Sequence, residues 1–163
     1  SCVEFFFIFF KKIVSFGVTK NPTAEWTANI FREAFLRDTA PGYLLRDRDG
    51  IYGNRFSEVV ESLGVKEILT APRSPKMNSH CERLIGSIRR EALNHHIIID
   101  EKHLRQVMMQ YVGYYHNDRT RLALEKDTPH KREVQERPQG EAVLVEEPRL
   151  GGLHHRYYWQ KAA

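Results

Sequence analysis

Asp47 and Glu82 are the pair of residues in this chain with the clearest chemical potential. Asp47 closes the apolar run Tyr43-Leu44-Leu45-Arg46, and Glu82 sits in Asn78-Ser79-His80-Cys81-Glu82-Arg83-Leu84-Ile85-Gly86. Residues 48–81 separate them. Hard divalent cations prefer oxygen ligands. Two such ions, about 4 Å apart, activate a water or a 3′-hydroxyl and stabilise the leaving oxygen in phosphodiester chemistry. Carboxylates from separate elements must converge to hold them, and Asp47 and Glu82 supply two at most.

Each acid also has a local explanation. Asp47-Arg48-Asp49-Gly50 is good turn chemistry. Ser79-x-x-Glu82 is a capping box, in which the serine bonds a backbone N–H and the glutamate reaches back. The surrounding helix favours more than a cap. Cys81, Leu84, Ile85, Ile88 and Ala92 form one apolar face, while Glu82, Gly86, Arg89 and Arg90 fall on another. A glycine permits close backbone approach, and arginines bind phosphate bidentately.

Elements must place these acids. Val3–Phe10 and Ile13–Thr19 read as an antiparallel hairpin around Lys11-Lys12. Thr23 is an N-cap for a helix carrying Trp26, Ile30, Phe31, Ala34 and Phe35. Tyr43–Arg46 is a short strand. Phe56, Val59, Val60 and Leu63 lie at helical spacing, with Gly64 as the stop. Val65–Thr70 is another strand, and Ala71–Asn78 an extended basic loop. Ser79 to about His95 reads as a helix. Asp100 caps the next, whose buried stripe is Leu104, Val107, Met108, Tyr111 and Tyr115. Ala142–Val145 forms one strand and Gly151-Gly152 a turn. The order β-β-α-β-α-β-α-α predicts a mixed α/β sheet flanked by helices. A domain over 1–128 and a tail over 129–163 are expected.

Twenty-five Lys and Arg against 21 Asp and Glu give a net charge of +4, which suits a phosphate-binding face. Two cysteines, Cys2 and Cys81, without finger spacing support neither a zinc module nor a disulfide scaffold. They fit a reduced, cytoplasmic setting. The run Val3–Phe10 contains Glu4 and is too short to span a bilayer, so no membrane role is expected. The histidine pairs His95-His96 and His154-His155 are adjacent residues that point apart, which argues against a metal site.

The quoted segments, in this order, resemble the integrase catalytic core of bacterial DDE transposases and retroviral-type integrases. They are Val18-Thr19-Lys20-Asn21-Pro22-Thr23, Leu45-Arg46-Asp47-Arg48-Asp49, Thr70–Pro75, Cys81–Glu91 and Tyr114–Thr120, with Gly151–Tyr157 like the tail of such transposases. The resemblance implies a ribonuclease-H-like fold, a Mg²⁺ or Mn²⁺ site and DNA strand transfer by a polynucleotidyl transferase. It makes Asp47 the second and Glu82 the third acid of that site. It places Arg73, Lys76, Asn78, Arg89 and Arg90 near DNA. The residues of segment 114–124, by themselves, mix aromatics, bases and amides, which suits DNA contact through Arg119 and Arg121; Tyr114 and Tyr115 equally suit a core with polar tips. The resemblance further implies transposon ends and target DNA as partners, a homo-oligomer, and work at the bacterial nucleoid. The first aspartate of such cores has no match, and Glu4 stands in what looks like their second strand. The expectation is an N-terminally truncated core, inactive alone. The alternative is a non-catalytic DNA-binding or dimerising remnant.

Overall fold

The computed structural model describes residues 3–9, 11–35, 39–71 and 78–162. It is a mixed α/β chain that divides into two compact units, Ser1–Ser87 and Ile88–Ala163. The division does not coincide with the expected one after residue 128.

In the first unit, β1 (Val3–Phe9) and β2 (Lys12–Thr19) form the expected antiparallel hairpin, with a register shift between Phe7 and Ile8. Helix α1 (Ala24–Ala34) begins where Thr23 Oγ1 accepts the Trp26 N–H at 3.1 Å. That bond satisfies one of the free amides of the first turn. Strand β3 (Tyr43–Arg46) leads through α2 (Asn54–Ser62) to β4 (Lys66–Leu69), which pairs with β3 in parallel. Helix α2 stops at Gly64, whose φ of +75° is left-handed. The Gly64 N–H reaches Glu61 O and the Val65 N–H reaches Val60 O, at 2.8 and 3.2 Å. This Schellman closure satisfies two terminal carbonyls and turns the chain into β4.

Phe7, Ala28, Phe31, Phe35, Phe56, Val59, Val60 and Val65 form the core of this unit. The Phe31 ring meets Phe7 edge-on at 5.0 Å and Phe56 at 5.6 Å. Burying each such ring contributes about 1.5–3 kcal/mol. One mixed sheet was expected. Among the described residues the pairings are instead separate two-stranded ladders, and none joins the β1–β2 hairpin to the β3–β4 pair.

Helix α3 (Ser79–Glu91) ends earlier than expected, and Leu93–His95 is a 3₁₀ turn. In the second unit, α4 (Glu101–Asn117) starts at Asp100, whose carboxylate accepts the His103 N–H at 2.7 Å. Its buried stripe is the one the spacing predicts. The tail carries two strands rather than one. β5 (Ala142–Arg149) pairs antiparallel with β6 (His154–Lys161) around the Gly151-Gly152 turn. The alternation of β6, His-His-Arg-Tyr-Tyr-Trp, is polar and aromatic at once and gives no apolar period to read.

Gly17 of β2 lies flush against α1. A Cβ there would fall 2.1 Å from Ile30 Cδ1 and 2.6 Å from the Trp26 ring. Gly17→Ala is expected to destabilise the chain by about 1–3 kcal/mol through overpacking. Urea denaturation measures this, and an unchanged midpoint would contradict the close approach.

Candidate metal and nucleic-acid site

Asp47 is the residue immediately after β3, and it is exposed. The turn that its sequence predicts forms. Its Oδ1 accepts the Asp49 N–H at 3.2 Å, and Asp49 Oδ1 accepts the Ile51 N–H at 3.1 Å. The turn is thus two successive Asx bonds. One lone pair of one oxygen is engaged, which leaves the rest of the Asp47 carboxylate for a ligand.

Glu82 is exposed in the first turn of α3. The capping box does not form. Ser79 is already helical, and its carbonyl and hydroxyl face the Arg83 guanidinium at 3.1 and 3.5 Å. Among the described residues no hydrogen bond or ion pair engages the Glu82 carboxylate.

Cys81 reports how Asp47 and Glu82 stand. Burial pushes its thiol up, and the charges of Asp47 and then Glu82 push it further. Both carboxylates therefore lie close enough to oppose a thiolate at one sulfur. Tyr52 senses the same field. Its hydroxyl is raised by burial first, then by Asp47 and Cys81. The charges at the strand end and at the helix start thus both act on Cys81, a residue whose part here the sequence did not mark.

Two acids are what the first unit contributes. Among the described residues, no group of three or more His, Cys, Asp or Glu is arranged to hold an ion. Glu4 lies in β1 opposite Val18. Arg73 and Lys76 lie outside the described residues. Asn78 is half-buried just ahead of α3. Arg89 and Arg90 are exposed in the last turn of α3.

In the second unit the two remaining basic residues are committed to protein partners. Arg119 donates from Nε and Nη2 to the two oxygens of Glu91, both at 2.6 Å. Arg121 Nη1 lies 2.6 Å from Tyr115 Oη. Glu91 also accepts the Tyr111 hydroxyl at 3.0 Å, and its carbonyl accepts from His154 Nε2 at 2.8 Å. His154 stacks on Tyr114 at 4.3 Å. Glu91 is therefore the centre of this cluster, and spacing offered no sign of it. His95 and His96 are bound to the Arg90 and Ala92 carbonyls at 3.0 and 2.9 Å. His155 pairs with Glu146 at 3.0 Å. Cavities of about 440 and 510 Å³ lie in this unit, and neither is lined by Asp47 or Glu82. Among the described residues no helix is long and apolar enough to cross a membrane.

Burial would raise the Glu91 carboxyl, but the hydrogen bonds and charge of Arg119, with the Tyr111 hydroxyl, hold it below the usual range. A depressed carboxyl stabilises the fold above its unfolded value of about 4.3, and that contribution is lost as pH falls through the folded value. Glu91→Gln is expected to lower stability at pH 7 by about 1–3 kcal/mol. It should also flatten the acid limb of the stability curve below about pH 4.3. Equal acid slopes in wild type and variant would remove Glu91 from that linkage.

Residues 63–129 match the family described as "Integrase core domain". No curated protein matches this chain. Among solved structures it is similar to a chain in the cryo-EM structure of a simian T-cell lymphotropic virus intasome in complex with PP2A regulatory subunit B56 gamma. The TM-score is 0.55 at 14% identity, over 98% of this chain and 65% of that one. This chain thus spans less than two thirds of that relative, and the likeness is one of fold. The resemblance read from the quoted motifs is borne out: residues 63–129 match the integrase core family, and the chain has a mixed α/β fold similar to that of an intasome chain.

Proposed function

We propose that this chain carries a ribonuclease-H-like DDE transposase or integrase core, extending to about residue 128 with a tail beyond. The integrase-core match ends at residue 129, which supports that boundary. The reaction of such a core is strand transfer. A DNA 3′-hydroxyl oxygen bonds to a target phosphorus, the scissile P–O bond breaks, and its oxygen leaves as a new 3′-hydroxyl. The homo-oligomer, the transposon ends and target DNA as partners, and action at the nucleoid belong to the same proposal.

The observation that carries it is the integrase-core match over residues 63–129, which contains Glu82; the charges of Asp47 and Glu82 both acting on the Cys81 thiol support it. Two exposed carboxylates from a strand end and a helix start suit one hard cation such as Mg²⁺ or Mn²⁺. They do not fit a complete two-ion site, which needs a further acid. When bound, the cation would supply charge neutralisation at the phosphate. The chain's own part is to hold two carboxylates toward it and to bind backbone phosphates through Arg89 and Arg90, with Arg73, Lys76 and Asn78. Arg119 and Arg121 contribute to DNA only by giving up their bonds to Glu91 and Tyr115.

A second reading is a DNA-binding or dimerising remnant without catalysis. It is favoured by the exposed Arg89 and Arg90, which need no metal to bind phosphate. Mn²⁺ binding, read by electron paramagnetic resonance, separates the two. Under the first reading Asp47→Asn and Glu82→Gln lose Mn²⁺ and leave duplex affinity unchanged. Absence of Mn²⁺ binding in wild type, with duplex binding intact, selects the remnant. In both, Arg89→Ala and Arg90→Ala should weaken duplex binding for all sequences and lower the salt slope by about 1 each. Fluorescence anisotropy across a salt series reads this, and an unaltered slope would exclude these arginines from the interface.

A further inference from the structure

We infer that Arg46 is the positioning residue for Asp47: one guanidinium pins the 47–52 turn to the β3–β4 pair. The inference rests on Asp47 being a site residue. It adds a positioning role that neither the motif nor the family match assigns.

The guanidinium has three tethers, each in a different direction. Its Nε donates to the Glu67 carboxylate on β4. Its Nη1 donates to the Asp47 carbonyl at 3.0 Å. Its Cζ lies over the Tyr52 ring, 5.0 Å from the centroid. The side chains of Arg46 and Glu67 are 13% and 18% exposed, so this is no solvated surface pair. Tyr52 in turn packs edge-on against core residue Phe56 at 5.0 Å. The start of the turn is held through the Asp47 carbonyl and its end through Tyr52. Backbone bonds alone do less. The Arg46 carbonyl accepts the Thr70 N–H at 2.9 Å, and the parallel ladder ends there. From Asp47 onward the chain has its two Asx bonds, the Tyr52 N–H to Asp49 O bond at 3.1 Å, and the guanidinium.

Lysine does not replace this arrangement. An ammonium is a point charge that can face Glu67, but it has no planar fork to serve the Asp47 carbonyl and cover Tyr52 together. Arg46→Lys therefore separates charge from geometry, and Arg46→Met removes both.

Amide hydrogen exchange by NMR on the full chain reads the turn without any metal. The Asp49 and Ile51 N–H groups report the two Asx bonds directly. In Arg46→Met and Arg46→Lys both amides are expected to exchange about ten-fold faster, while amides of α1 and α2 keep wild-type protection. Mn²⁺ affinity, measured by electron paramagnetic resonance, is expected to fall about ten-fold or more in both variants, as for removal of an outer-shell partner. Unchanged exchange at Asp49 and Ile51 in Arg46→Lys overturns the proposal, whatever the metal result. If Arg46→Met does not fold, the lysine variant alone decides. Faster exchange in a chain whose wild type binds no Mn²⁺ upholds the positioning role and rejects the metal reading.

Discussion

A parallel pair of four-residue strands does not hold itself together, and everything around Asp47 depends on the element that joins them. Parallel strands need a crossover, here α2 between β3 and β4. That helix is held by Phe56, Val59 and Val60, each buried against the α1 aromatics. The Schellman closure at Gly64 then sets the direction in which β4 returns. The core thus fixes the helix, the helix fixes the ladder, and the ladder ends one residue before the carboxylate.

The second unit uses charge where the first uses aromatic burial. Its tail hairpin exposes Val143, Leu144 and Tyr157 and has little apolar surface to bury. It is held by ion pairs instead. The Asp118 carboxylate, with a side chain only 2% exposed, faces Arg149 of β5 at 2.7 Å and Arg156 of β6 at 3.5 Å. One acid at the end of α4 thereby touches both strands. Glu91 gathers Arg119, Tyr111 and His154 in the same way. Half-buried charges of this kind are sensitive to loss of either partner, because the survivor is left desolvated. This assigns Arg119 a structural partner, although its place in a basic, amide-rich segment suggested DNA.

The candidate site shows how one residue can satisfy two patterns. Asp47 is both turn-former and candidate ligand, because an Asx bond uses a single lone pair of a carboxylate. At Glu82 the competing pattern is absent, since Ser79 entered the helix and turned its hydroxyl to Arg83. The helix start sets that outcome. Ser79 would have to lie outside the helix to cap it.

The sequence by itself determined the order of elements through β4, the helix caps at Thr23 and Asp100, the Gly64 stop, and the stripe of α4. These depend on period and on side-chain-to-backbone bonds within a few residues, which neighbours in the chain suffice to specify. The motif resemblance, read from about Gly17 to Thr128, was legible for the same reason, and a family match covers residues 63–129 of the chain. Beyond the β1–β2 hairpin, only the tertiary structure decided which strands pair, since hydrogen bonding between distant strands has no local signature. It decided that Arg119 serves Glu91, 28 residues away, and that Arg46 serves Glu67, 21 residues away. It also put the Cys81 thiol within the fields of both Asp47 and Glu82. A long, charged side chain reaches whichever partner folding places beside it, and its spacing in the sequence does not name that partner.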